Sequence, residues 1–175
     1  MIIKILKNTG ITILIAWISV VQVNHAKEPA RIISGWIENV RIENLDFKVK
    51  AKLDTGAKTS SVHAKNIETY SKDGEKWVRF SVVLKNSKND DVNVITLEKK
   101  YIRSVRIKNH NDMDDERYVV MLDICFNGRT YNSEFNLSDR KGFLYDVLLG
   151  RKFLKNTAIV DAKNEFLTVA ECENN

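Results

Sequence analysis

The chain has 175 residues, 43% of them hydrophobic and 29% charged, with a formal net charge of +5. That length sets one domain with room for a tail, and the balance excludes disorder, a collagen-like fibre and a disulfide-stapled miniprotein. Lys4 and Lys7 are the only charged residues of the first 26, so the remainder carries 28 − 2 = 26 basic against 23 acidic residues. A surplus of +3 with no clustered basic run excludes nucleic acid as the expected partner.

Lys4 and Lys7 precede an apolar run over 10–23. The run has the length of a secretory signal core and falls short of the roughly 20 apolar residues that span a bilayer. The reading is an exported, periplasmic protein with residues 1–26 as its signal. Asn24 fits a small-residue cleavage rule badly, and an uncleaved membrane anchor over 10–23 is the competing reading. Residues 27–33, with Pro29 as the one proline, read as a linker. A folded domain is expected over 34–170 and a tail over 171–175.

Strand signals then alternate with polar turns at the spacing of an all-β domain. Ile32–Ile42 opens the series, and Phe47–Leu53 alternates strictly between apolar and polar, giving one buried and one wet face. Asp54-Thr55-Gly56-Ala57 ends that strand, and hydroxyls follow at Thr59, Ser60 and Ser61. Asp and Gly are ordinary turn residues, so the triplet by itself equally describes a strand turning a corner. Trp77–Leu84 is another strand. Ile102–Lys108 and Arg117–Phe126 flank a polar tip over 109–115 as a long hairpin, and Asn127-Gly128 joins the second arm to Thr130–Leu137.

The texture changes at Val147-Leu-Leu-Gly150, a continuous apolar run ending in glycine and suited to a fully buried strand. One or two helical turns are expected over 151–156, and a final hairpin from Ala158–Asp161 and Glu165–Val169. The expected fold is all-β: a small closed barrel with one short helix. Cys125 and Cys172 would pair in an oxidising compartment, yet one lies inside an apolar strand and the other near the C-terminus, so two free thiols fit equally well.

A strand, Asp-Thr-Gly-Ala, a long hairpin, and then Val147-Leu-Leu-Gly-Arg-Lys-Phe-Leu154 stand in a specific order. This order resembles the retropepsins, the single-domain aspartic proteases. The extended motif Asp54–Ala64 is more similar still to a bacterial retropepsin-like group often filed as ATP-dependent zinc proteases. The resemblance covers about residues 34–169. It implies an aspartic endopeptidase in which Asp54 of two subunits meet across a two-fold axis, because the chain holds a single Asp-Thr-Gly. Thr55, Gly56 and Ala57 would shape the catalytic loop, and Leu148, Leu149 and Gly150 would pack behind it. The hairpin over 102–120 would be the flap covering an extended peptide substrate, although its polar, acidic tip departs from the glycine-rich viral pattern. A catalytically silent module that binds peptides or an envelope partner is the rival reading.

Lys58, Arg106 and Arg117, with Arg103, would make the cleft basic and favour acidic peptides; each is equally at home as a wet surface residue. His63 beside Thr59, Ser60 and Ser61 invites a serine-protease reading, but no Gly-x-Ser-x-Gly elbow accompanies it, and His63 reads as structural. Neither zinc nor ATP is expected. His25, His63 and His110 stand apart without an H-E-x-x-H motif, and a Gly-Lys-Ser/Thr phosphate loop is missing. The expectation is no cofactor and no metal.

Overall fold

The computed structural model describes residues 30–43, 45–108 and 114–172. Within them the chain runs β1 (Ile32–Gly35), β2 (Ile37–Ile42), β3 (Val49–Asp54), β4 (Ser60–Lys72), β5 (Glu75–Lys85) and β6 (Val92–Lys100). There follow β7 (Arg103–Lys108), β8 (Asp114–Phe126), β9 (Arg129–Ser138), β10 (Val147–Gly150), the single-turn helix α1 (Arg151–Leu154) and β11 (Ala158–Asp161). Residues 1–26, where the export signal is expected, lie outside the described residues, as does most of the hairpin tip over 109–115.

Six strands close on themselves. β3 pairs with β2, β2 with β8, β8 with β9, β9 with β4, β4 with β10, and β10 returns to β3. Closure satisfies the edges of these strands and wraps them around one core. Val40, Leu53, Leu122, Phe135 and Leu149 meet inside, and Phe153 of α1 stacks edge-on against Phe126 and Tyr131. β5 and β6 continue the sheet outward from β4, β7 lies along β8, and β1 pairs in parallel with β11 as a small separate sheet. This is the all-β closed barrel with one short helix expected from the sequence.

Local chemistry accounts for the parts that follow the pattern. Val49, Ala51 and Leu53 of β3 point into the core while Lys50 and Lys52 point out. Asn127 and Gly128 both take positive φ, 49° and 73°, as a two-residue type I′ turn between β8 and β9 requires.

Other parts depart from it. The opening strand breaks at Trp36 because β1 pairs with β11 while β2 pairs with β3 in the barrel. Ser60–Ala64, which carries no strand signal in the sequence, begins β4; Ser60–His63 is held between β9 and β10, and the segment is buried at every residue and shows no alternation. β6 escaped the reading because its apolar side chains face both ways: Val92 and Val94 are exposed, while Ile95 and Leu97 pack on the core.

The expected final hairpin is corrected. Residues 165–169 form no strand; they cross the barrel as a strap held by the buried carboxylate of Glu38. Glu38 accepts the N–H groups of Leu167 and Thr168, the Thr168 hydroxyl and the N–H of Gly35. A side chain there replaces a β ladder, which hydrophobic periodicity does not register.

Both ends of the folded unit also extend past the expected 34–170. Ile32 and Ile33 pair with Ala158 and Ile159 rather than belonging to a linker. At the other end Cys172 is bonded to Cys125, so residues 171–172 are not a free tail. Arg41 donates to the carbonyls of Ala170 and Cys172, and Lys48 pairs with Glu171. The disulfide closes a segment with a sequence separation of 47 residues. Replacing both cysteines by serine is expected to lower stability by about 2–4 kcal/mol, because the unfolded chain regains the freedom the bridge removes. Urea unfolding of the oxidised protein and the double variant measures this as a fall in midpoint.

Candidate active site

β3 delivers Asp54 to the mouth of the barrel, and the chain turns through Thr55, Gly56 and Ala57 before β4 begins. The Asp54 Oδ1 accepts the N–H of Gly56 at 2.9 Å and that of Ala57 at 3.2 Å. Its Oδ2 faces the Lys52 ammonium at 3.4 Å. The loop's own backbone thus fixes one oxygen and leaves the other open. Burial pushes the Asp54 carboxyl up, but the Gly56 N–H, the Lys52 cation and the Ala57 N–H outweigh it and hold the group below the usual carboxylate range. Thr55 and Gly56 stand exposed at the tip.

β10 lies parallel to β3 with Gly150 opposite Asp54. A Cβ on Gly150 would sit 2.8 Å from the Thr59 carbonyl carbon and 3.0 Å from the Ala57 oxygen, so only glycine admits this approach. The same turn ties down the loop's polar groups. The Gly150 N–H donates to Ser60 Oγ at 3.1 Å, Arg151 N–H to the Ala57 carbonyl at 2.8 Å, and Lys152 N–H to the Lys58 carbonyl at 3.1 Å. The Arg151 guanidinium reaches the carbonyls of Thr55 and Gly56 at 3.0 and 2.6 Å. Leu149 packs in the core as expected. Leu148 is a correction: pleating turns it away from the core, and it lines the cleft beside Asp54 instead of bracing the loop from behind.

Two cavities lie against the Asp54 loop, and Asp54 itself lines one of them. One, of about 400 Å³, is lined by Asp54, Lys52, Trp36, Arg140, Phe143 and Leu144 among others. The second, of about 540 Å³, runs between the loop and β7 and gathers Lys58, Arg103, Arg106, Arg117, Arg140 and Lys152. Arg140 and Leu148 border both. The three sequence-predicted cations Lys58, Arg106 and Arg117 therefore share one cleft. Arg103 and Lys152 are partly neutralised by Glu134, whose carboxyl the Arg103 bond above all holds below its usual range. Arg117 pairs with Asp115 at 2.7 Å.

The family described as retropepsin-like aspartic endopeptidase RimB, or RimB-like, matches residues 33–171. The chain belongs to the RimB-like family. Among curated proteins it is 35% identical over 119 residues to a probable alpha-L-glutamate ligase of Shewanella pealeana and 36% identical over the same length to that of Shewanella halifaxensis. Each match takes in 67% of this chain but spans only 25% of the ligase, so the ligase name describes a protein about four times longer than the shared part. Among solved structures, Lpg0085 of Legionella pneumophila subsp. pneumophila, a protein of unknown function, superposes with a TM-score of 0.67 at 32% identity. That match covers 80% of this chain and all of the other.

Sequence reasoning did not single out Lys52, Arg140 or Arg151. Arg151 directly follows the Leu-Leu-Gly run and was accessible from that position, whereas Lys52 was visible only as the wet side of an alternating strand. Arg140 sits in a loop without any periodic signal. His63 is buried, and its Nδ1 accepts the Arg140 backbone N–H at 2.9 Å, a structural task that places its other nitrogen as the N–H. Replacing Lys52 by methionine removes a cation beside Asp54 and is expected to raise the Asp54 pKa. Carbon-13 NMR titration of the Asp54 side-chain carboxyl reads the direction of the change.

Proposed function

We propose that this protein is an aspartic endopeptidase that acts as a homodimer, with Asp54 of each subunit forming the catalytic pair. The observation that carries this reading is the Asp-Thr-Gly loop itself: a carboxylate with one oxygen fixed by loop N–H groups and the other facing Lys52, at an exposed tip braced by Gly150 and Arg151. One carboxylate per chain is half of the pair such chemistry uses. Two carboxylates in contact cannot both ionise cheaply, so the pair holds one proton and titrates as a unit. The ionised member takes a proton from water as that water attacks the peptide carbonyl, and the protonated member gives its proton to the carbonyl oxygen. Collapse of the resulting diol breaks the C–N bond and returns a proton to the departing amine. Exposed Thr55 is suited to bonding with the partner loop across the axis.

The substrate in this reading is an acidic peptide lying extended under the β7–β8 hairpin. Cations around the cleft support it, and so do the glutamate ligases that share this region of sequence. The disulfide supports an oxidising location, in keeping with export and a periplasmic destination. The reaction calls on no metal or nucleotide.

An acidic and a neutral peptide library, incubated with the intact protein and with Asp54→Asn from about pH 3 to 8, tests the reading. Cleavage should resist chelators and fall by about 10⁴-fold or more in the variant. Cleavage that persists in Asp54→Asn removes Asp54 from the chemistry. Tight binding without cleavage by the intact protein favours the silent binding module.

A further inference from the structure

Arg140 is the one cation that borders both cavities, the one lined by Asp54 and the one toward β7, and it is buried, with 6% of its surface exposed. Its Nε donates to the Tyr145 carbonyl at 3.0 Å and its Nη1 to Ser61 Oγ at 2.9 Å. Both partners are neutral. No carboxylate among the described residues forms an ion pair with it, and its Nη2 makes no hydrogen bond there. The guanidinium plane is further fixed over the Phe143 ring at 4.7 Å. Burying a charge without a counter-ion is costly, and proteins ordinarily pair such a group. Burial first, and then the Arg117 cation, pushes the Arg140 pKa below its ordinary value, while the Asp146 and Asp54 carboxylates oppose the shift.

From this geometry we infer that Arg140 is a specificity-determining residue that takes a substrate carboxylate with its Nη2 edge, next to the catalytic loop. The inference rests on the endopeptidase reading and deepens it, by assigning acid selectivity to one buried side chain rather than to the general charge of the cleft. Nε and Nη1 are committed to the protein, so the fork is held in orientation before substrate arrives. A preset guanidinium discriminates a carboxylate from its isosteric amide, which a loose surface lysine does poorly. The anion can be a side-chain carboxylate next to the cleaved bond or the chain-terminal carboxylate; both offer the same two oxygens.

The test uses otherwise identical neutral peptides carrying one Glu or one Gln at successive positions around the cleaved bond, each with a free or amidated C-terminus. The intact protein should favour Glu over Gln at one position by about tenfold or more in KM. If the free C-terminus supplies the anion, amidation should cause that loss instead. Arg140→Gln should level the pair to within about twofold while changing kcat on the Gln peptide far less. Because Arg140 also ties Ser61 to the loop, thermal unfolding accompanies the variant, and a second measurement needs no variant at this position. In the Asp54→Asn protein, the nitrogen-15 resonance of the Arg140 guanidinium should shift on adding the peptide that carries the preferred carboxylate and stay put with its Gln or amidated counterpart. Equal handling of Glu and Gln, and of free and amidated C-termini, by an active intact protein overturns the inference and leaves the endopeptidase reading standing, as does a carboxylate preference that survives in folded Arg140→Gln. Absence of cleavage of every peptide fails the endopeptidase reading itself. The resonance measurement then still decides the anion site.

Discussion

Backbone meets backbone where Gly150 of β10 lies against the turn after Asp54, and the candidate site depends on that contact. A Cβ there would stand 2.8 Å from the Thr59 carbonyl carbon, closer than packed atoms tolerate. With glycine, β10 runs flush with β3, and the first N–H groups of α1 reach the Ala57 and Lys58 carbonyls. The loop then has no slack. Its carbonyls are spent on Arg151 and α1, and its N–H groups on Asp54, so the carboxylate is aimed by bonds that barrel closure makes unavoidable.

Charge is distributed around this rigid point with a consistent sign. Lys52 faces Asp54 directly, and a ring of cations follows the cleft toward β7. Some are bound by acidic neighbours, as Arg103 and Lys152 are by Glu134, and those contribute little net field. Arg140 differs because it is buried and its protein partners are neutral. A surplus of only +3 over residues 27–175 conceals this local excess; composition reports the whole surface and a site uses one patch of it.

Much of the fold was legible in the sequence where one face of a strand is buried and the other wet. β3 and the Asn127-Gly128 turn follow directly from that alternation and from turn chemistry. Where both faces are covered, as at Ser60–Ala64, the alternation is lost and the sequence carries no strand signal. Side-chain anchoring was equally hidden: Glu38 organises residues 165–168 from a distance of about 130 positions in sequence. The site divides the same way. Asp54, Gly56 and Gly150 announce themselves by motif and order, whereas Arg140 gains its setting from β4, β9 and the 139–146 loop together and has no signature of its own.

The central claim is that the active unit contains two chains and two copies of Asp54. Mixing decides it: wild-type chain and a ninefold excess of Asp54→Asn chain are unfolded, refolded together, and assayed for cleavage per wild-type chain. Obligate pairing predicts a fall to about a tenth of the undiluted value, because most wild-type subunits then face a partner lacking the carboxylate. Activity per wild-type chain that stays constant at every mixing ratio would contradict the account, since a single chain would then carry the whole site.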